Sequence, residues 1–201
     1  MAKIIEKGFA EKINDILDPI APPESQNLPA KPVPAGVIVP IVINENDFLF
    51  SELLLTLRTS EVKDHKGQVS FPGGVCEKRD ENLLETAIRE TFEEIGIEKS
   101  LYKIAGMLKP YTTVTGYTIF PFVGLLDKKP PVKANPIEIE KVFYAPLGIF
   151  MDSSKIEEGN IVFRNQNYFI KGVRWEGMLI WGATYNIIMD LVERLKKFPG
   201  K

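Results

Sequence analysis

The stretch that decides the reading runs from Gly73 to Ile97, GGVCEKRDENLLETAIRETFEEIGI. Its core is Arg89-Glu90, then Glu93-Glu94, then Gly96. At about 100° per residue on a helix, Glu90, Glu93 and Glu94 are i, i+3 and i+4 neighbours. Carboxylates crowded in this way repel one another, and a divalent, oxygen-seeking cation such as Mg²⁺ or Mn²⁺ relieves the repulsion. A solvated acidic face is the ordinary alternative for such a run of charge. Leu84, Ala87, Ile88, Thr91 and Ile95 recur at helical spacing, which predicts a helix over about residues 81–95 with one buried stripe flanked by the carboxylates. Gly96 is placed to end that helix. Gly73-Gly74 lets backbone pass close to the helix start or to a ligand.

This spacing resembles the Nudix box, Gly-x5-Glu-x7-Arg-Glu-U-x-Glu-Glu-x-Gly-U, with U a bulky aliphatic residue. Arg89, Glu90, Glu93, Glu94, Gly96 and Ile97 match their places, while Thr91 stands where an aliphatic residue belongs. Five residues on from Gly74 comes Asp80, whereas seven residues back from Arg89 comes Glu81. The box is thus one residue too long, and its first acid is either Asp80 or Glu81. Upstream, Leu54-Leu55-Thr56-Leu57-Arg58 and Gly67-Gln68-Val69-Ser70-Phe71-Pro72-Gly73-Gly74 look like the signature of the coenzyme A pyrophosphatase subfamily of Nudix hydrolases. Thr59 replaces Ser/Ala in that signature and Lys63 replaces its second Arg, keeping the charge but losing the planar fork. The threonine/glycine loop in residues 110–123, Asn135-Pro136-Ile137-Glu138-Ile139 and Ile180-Trp181-Gly182-Ala183-Thr184 extend the likeness over roughly residues 36–195.

The resemblance implies an α/β fold, a Nudix-type α/β/α sandwich with a mixed sheet and a loop-helix-loop box. It implies Mg²⁺ or Mn²⁺ on Glu90, Glu94 and Glu93, with the backbone carbonyl of Gly74 as a further ligand. Arg89 is expected to orient a glutamate through a bidentate hydrogen bond. The general base is Glu138 or Glu93. Arg58, Lys63 and Tyr117 are expected to meet substrate, a coenzyme A-like nucleotide cleaved at its pyrophosphate to 3′,5′-ADP and (acyl-)4′-phosphopantetheine. The alternatives are another nucleoside diphosphate derivative (ADP-ribose, a dinucleotide or an NTP) or a non-catalytic nucleotide-sensing domain. The intact box favours an enzyme.

The bulk properties agree. A chain of 201 residues can bury a sizeable core. A net charge of −2 implies no broad basic surface for nucleic acid. No apolar run is long enough for a bilayer and no signal pattern is present, so a cytoplasmic, membrane-free protein is expected. Cys76 is the single cysteine, which excludes an intramolecular disulfide, and His65 is the single histidine, which excludes a multi-histidine zinc site.

Along the chain, residues 1–35 read as an N-terminal amphipathic helix followed by a proline-rich arm, and residues 36–201 as the Nudix domain. A homodimer is the expected assembly if there is one. Strands are expected over 37–43 and 48–57, joined as a hairpin, and again over 101–108, 117–127 and 142–145. A second hairpin is expected over 161–164 and 167–173, and a terminal helix over 183–198.

Overall fold

A computed structural model of the chain describes residues 8–60, 67–163 and 165–197. The elements in order are α1 (Phe9–Ile16), β1 (Val33–Val42), β2 (Glu52–Arg58), β3 (Val69–Ser70), β4 (Gly73–Val75), α2 (Leu83–Ile95), β5 (Lys103–Met107), β6 (Tyr111–Thr112) and β7 (Tyr117–Leu126). They continue with β8 (Ile139–Pro146), β9 (Ile156–Phe163), β10 (Gln166–Trp175), β11 (Met178–Trp181) and α3 (Gly182–Lys196). Eight strands form a mixed sheet and β9–β11 a small antiparallel one.

β1 is the spine of the large sheet. Its alternation sends Val37, Val39 and Ile41 into one cluster and Ile38 into the other, and β2 does the same with Leu53 and Leu55 against Leu54. The larger cluster is closed by Ile13 of α1 and by Ile187, Ile188, Leu191 and Val192 of α3. The smaller is closed by Leu83, Ala87 and Ile95 of α2. The result is the helix–sheet–helix sandwich expected.

The sheet forks at its centre, and the fork positions the site. On one side β1 runs parallel to β7 along its whole length. On the other it pairs with β2 only at its end (Ile41 with Leu53, Val42 with Glu52), and with β4 at its start (Ala35 to Val37 with Val75 to Gly73). β2 meanwhile turns to β3, pairing Thr56 with Ser70. The chain from Val69 to Val75 therefore crosses from β2 to β1 inside the fork.

Two segments differ from expectation. β1 begins at Val33, so Pro34 lies within a strand, with its carbonyl accepting from the Cys76 N–H at 3.2 Å. The residues expected to open the second strand, Phe48–Phe50, instead form a 3₁₀ turn capped by Asp47, whose side chain accepts from the Leu49 N–H. The hairpin itself stands.

Before β1 the proline-rich segment lies on the body of the protein. The Leu83 N–H donates to the Pro23 carbonyl at 3.3 Å, and the Ser25 N–H to the Glu81 carbonyl at 3.1 Å, so this segment braces the loop entering α2. Arg194 of α3 donates to the Ile16 carbonyl and pairs with Asp18, each at 2.9 Å, and so fixes the end of α1. Among the described residues no helix is long and apolar enough to cross a membrane.

Candidate active site

α2 forms where the sequence caps it. The Asn82 side chain accepts from the Leu84 and Glu85 N–H groups, and Gly96 closes the helix at φ 70°. One face buries Leu83, Ala87, Ile88 and Ile95 against the sheet. The stripe differs from the expected one in two respects. Leu84 is only half-buried, and Glu94 lies inside the stripe rather than beside it, with 1% of its surface exposed.

A buried carboxylate must be paired, and the fork supplies the partners. Arg58 Nη1, at the end of β2, lies 2.8 Å from Glu94 Oε1, and the Gly73 N–H donates to Oε2 at 3.1 Å. The same guanidinium turns Nη2 towards Glu138 Oε2, 3.7 Å away. Burial raises the Glu94 carboxyl to about 7; the Arg58 charge and the Gly73 N–H oppose this, while the charges of Glu90 and Glu138 add to it. Burial likewise raises Glu90 against the opposing hydrogen bond and charge of Arg89, with Glu93 and Glu138 adding to the rise. Gly74 makes room for Glu90: a β-carbon on it would stand 2.5 Å from the Glu90 carboxyl carbon. A larger residue there would push the Glu90 carboxyl aside.

Arg89 is a hub. Its Nε and Nη2 donate to the two oxygens of Asp80, at 2.8 and 2.9 Å, while Nη1 donates to Glu90 at 2.7 Å and Glu93 at 3.0 Å. The bidentate contact expected for a glutamate thus goes to Asp80, and the glutamates receive single bonds. The ambiguous first acid of the box is resolved in the same way: Asp80 is buried and bonded, and Glu81 is exposed. Burial pushes Asp80 up, but bonds from Arg89, the Glu77 N–H and the Thr86 hydroxyl outweigh it and hold the carboxyl at about 2.

The structure therefore gathers Glu90, Glu93, Glu94, Arg89, Gly74, Arg58 and Glu138 around the fork. Tyr117 is placed elsewhere. Its register with Val33 and the alternation along β7 set it with Ile119 and Val123 on the α3 side of the sheet, away from α2. Lys63, with His65 and Lys66, lies outside the described residues. Sequence reading missed Arg79, which bonds Glu93 at 3.2 Å and Glu77 at 2.9 Å. It sits in a loop whose path no periodicity reports.

Among the described residues no three acidic, histidine or cysteine side chains are grouped so as to hold a metal ion as they stand, because guanidinium groups lie between the acids. The donor set nevertheless suits a hard cation: carboxylate oxygens only, close enough to raise one another.

Comparison with known proteins places this arrangement. A family model described as the NUDIX domain matches residues 32–159. Over 175 residues the chain is 33% identical to a Photorhabdus laumondii protein named "Uncharacterized Nudix hydrolase NudL", covering 87% of this chain and 91% of that one. A Shigella flexneri protein of the same name is 32% identical over 165 residues, covering 82% and 84%. In fold, the chain is similar to the NUDIX domain of Shewanella oneidensis NrtR, solved in complex with ADP ribose, at a TM-score of 0.56 and 14% identity over 86% of this chain and 94% of that one. The chain belongs to the Nudix family and is a Nudix hydrolase. The activity supported at that level is pyrophosphohydrolysis.

Proposed function

We propose that this chain cleaves the pyrophosphate of coenzyme A or an acyl-CoA, giving 3′,5′-ADP and (acyl-)4′-phosphopantetheine. One observation carries the reading. The upstream signature and the box meet on a single carboxylate, because Arg58 and Gly73 of the former both bond Glu94 of the latter. This contact supports reading the residues that resemble the coenzyme A subfamily as part of the reacting centre.

Nudix hydrolases generally use divalent ions such as Mg²⁺ or Mn²⁺. Here Glu90, Glu94 and Glu93, with the Gly74 carbonyl, would hold the ion. Bound there, such an ion neutralises diphosphate charge and acidifies a bound water. The chain's own residues do the rest. Arg89 holds Glu90 and Glu93 in place while Asp80 fixes Arg89. Of the two candidate bases, Glu93 has both oxygens taken by Arg79 and Arg89. Glu138 is less committed, with Asn135 Nδ2 at 3.3 Å and Arg58 at 3.7 Å, and its side chain is 37% exposed. We assign the water's proton to the Glu138 carboxylate.

The test is chromatography of products after incubation with Mg²⁺ or Mn²⁺ and, separately, coenzyme A, ADP-ribose, NADH and dGTP. The expected result is 3′,5′-ADP with a clear preference for coenzyme A. Preference for another substrate would keep the metal site and remove the coenzyme A assignment.

A further inference from the structure

The signature arginine, Arg58, is expected from the sequence to meet substrate phosphate, yet it is already engaged by two carboxylates. Its position is built. The β2–β8 pairing runs from Glu52 with Pro146 to Leu57 with Lys141, then shifts so that Arg58 faces Ile139 and Glu140 is skipped. This irregularity, a bulge in β8, re-aims the adjoining chain. The Thr59 N–H donates to the Glu138 carbonyl at 2.9 Å, and the Thr59 hydroxyl to that of Ile137 at 3.0 Å. On its other side the same loop is tied to the end of α2, with the Asn135 N–H donating to the Glu94 carbonyl at 2.8 Å. Glu94 and Glu138 are therefore held on either side of one guanidinium by backbone bonds independent of it.

Of the arginines among the acids, Arg89 and Arg58 are not equivalent. Arg89 makes short bonds to three carboxylates, and its main partner Asp80 is itself fixed by Thr86 and the Glu77 N–H. Arg58 has one short contact and one of 3.7 Å, and its side chain is 21% exposed. A cation arriving among these carboxylates meets a fixed guanidinium at Arg89 and a yielding one at Arg58.

We propose that Arg58 is a positioning residue, the built-in counter-ion of Glu94 and Glu138, and that a divalent cation takes its site by displacing the Arg58 guanidinium. The proposal rests on the metal-site reading of Glu90, Glu93 and Glu94 given above. Its consequence is linkage. The displaced guanidinium becomes available to an anionic oxygen of the substrate, so cation and diphosphate each favour the binding of the other.

The test is Mn²⁺ binding to the full chain without substrate, read from the electron paramagnetic resonance signal of free Mn²⁺ at pH 8.5, with circular dichroism to verify folding. Arg58→Met removes the competitor and should tighten Mn²⁺ binding about tenfold. Arg58→Lys keeps one charge on a single donor and should tighten it less. Unchanged Mn²⁺ binding in a folded Arg58→Met protein would show that the guanidinium does not compete with the cation, and would overturn the proposal whatever happens to KM. Weakened binding would make it a structural support and overturn it equally. If Arg58→Met does not fold, Arg58→Lys decides: a twofold or greater tightening supports the proposal and none overturns it. Glu94→Gln separates the two levels. Loss of Mn²⁺ affinity is expected, whereas affinity equal to that of the unmodified chain would remove the metal-site reading, and this proposal with it.

Discussion

Helices α2 and α3 lie on opposite faces of one sheet and use their buried positions differently. α3 buries Tyr185, Ile187, Ile188, Leu191, Val192 and Leu195 with a single polar companion, Thr184. α2 gives three of its seven buried positions to Thr86, Thr91 and Glu94. Thr86 bonds Asp80 and Thr91 bonds the Ala87 carbonyl, so each threonine is satisfied, but Glu94 remains a carboxyl that burial works against. One face of the sheet makes the fold and the other uses part of that stability to crowd charge at the fork. Predictions follow from pushing each face separately.

The largest effect is expected on the charged face. Glu138→Gln removes the assigned base while leaving the loop's backbone bonds in place, so kcat should fall by about 100- to 10,000-fold. The melting temperature should hardly move. An unchanged kcat would hand the role to Glu93. On the apolar face the reverse is expected. Leu191 is fully buried, and Leu191→Ala should lose roughly 2–5 kcal/mol in denaturant melts. The remaining folded molecules should keep their kcat, and a kcat loss matching the stability loss would show that the two faces are not separable.

These assignments also mark how far the sequence could be read. The helix over Leu83–Ile95 was legible because the apolar periodicity and Gly96 agree locally, while the Asn82 cap emerged only from the structure. Counting along the box ends at both Asp80 and Glu81; the fork of Arg89, folded back nine residues, goes to Asp80, the place where the resembled subfamily carries Asp. The Arg58–Glu94 pair spans 36 residues and depends on β2 diverging from β1, which no local pattern encodes. The short strands β3, β4 and β6 escaped for a related reason. Two or three residues are too few for alternation to show. Tyr117 was assigned to the site from its neighbours in sequence, but strand alternation, which acts at the next level up, turns it to the other face.

Asp80 gives the next effect in size. Its folded carboxyl sits at about 2, below the ordinary 3.8. A lowered carboxyl stabilises the fold fully above the unfolded value and loses that contribution as pH falls from about 3.8 through about 2. Asp80→Asn should therefore cost on the order of 2 kcal/mol at neutral pH, with the deficit closing below pH of about 3. A deficit constant across that window would mean that Asp80 acts through packing alone.

The smallest effect has the opposite sign and tests the comparison most directly. Glu94 is raised from 4.5 to about 7, so the folded state holds its proton more tightly than the unfolded chain does. For a raised group, the contribution to stability is fully present below 4.5 and is lost as pH climbs through about 7. Above that the folded protein carries a buried charge which Gln would not have, and the forfeited Arg58 contact offsets only part of the relief. Metal-free Glu94→Gln should match the unmodified protein at pH of about 4 and exceed it by on the order of 1 kcal/mol at pH of about 8, while losing turnover. Thermal melts in chelator at the two pH values measure this. If the variant gains nothing at the higher pH, α2 carries its carboxylate without cost, and the contrast with α3 reduces to one of composition. A gain in stability together with a loss of turnover would identify Glu94 as a position where the fold is strained for the chemistry it supports.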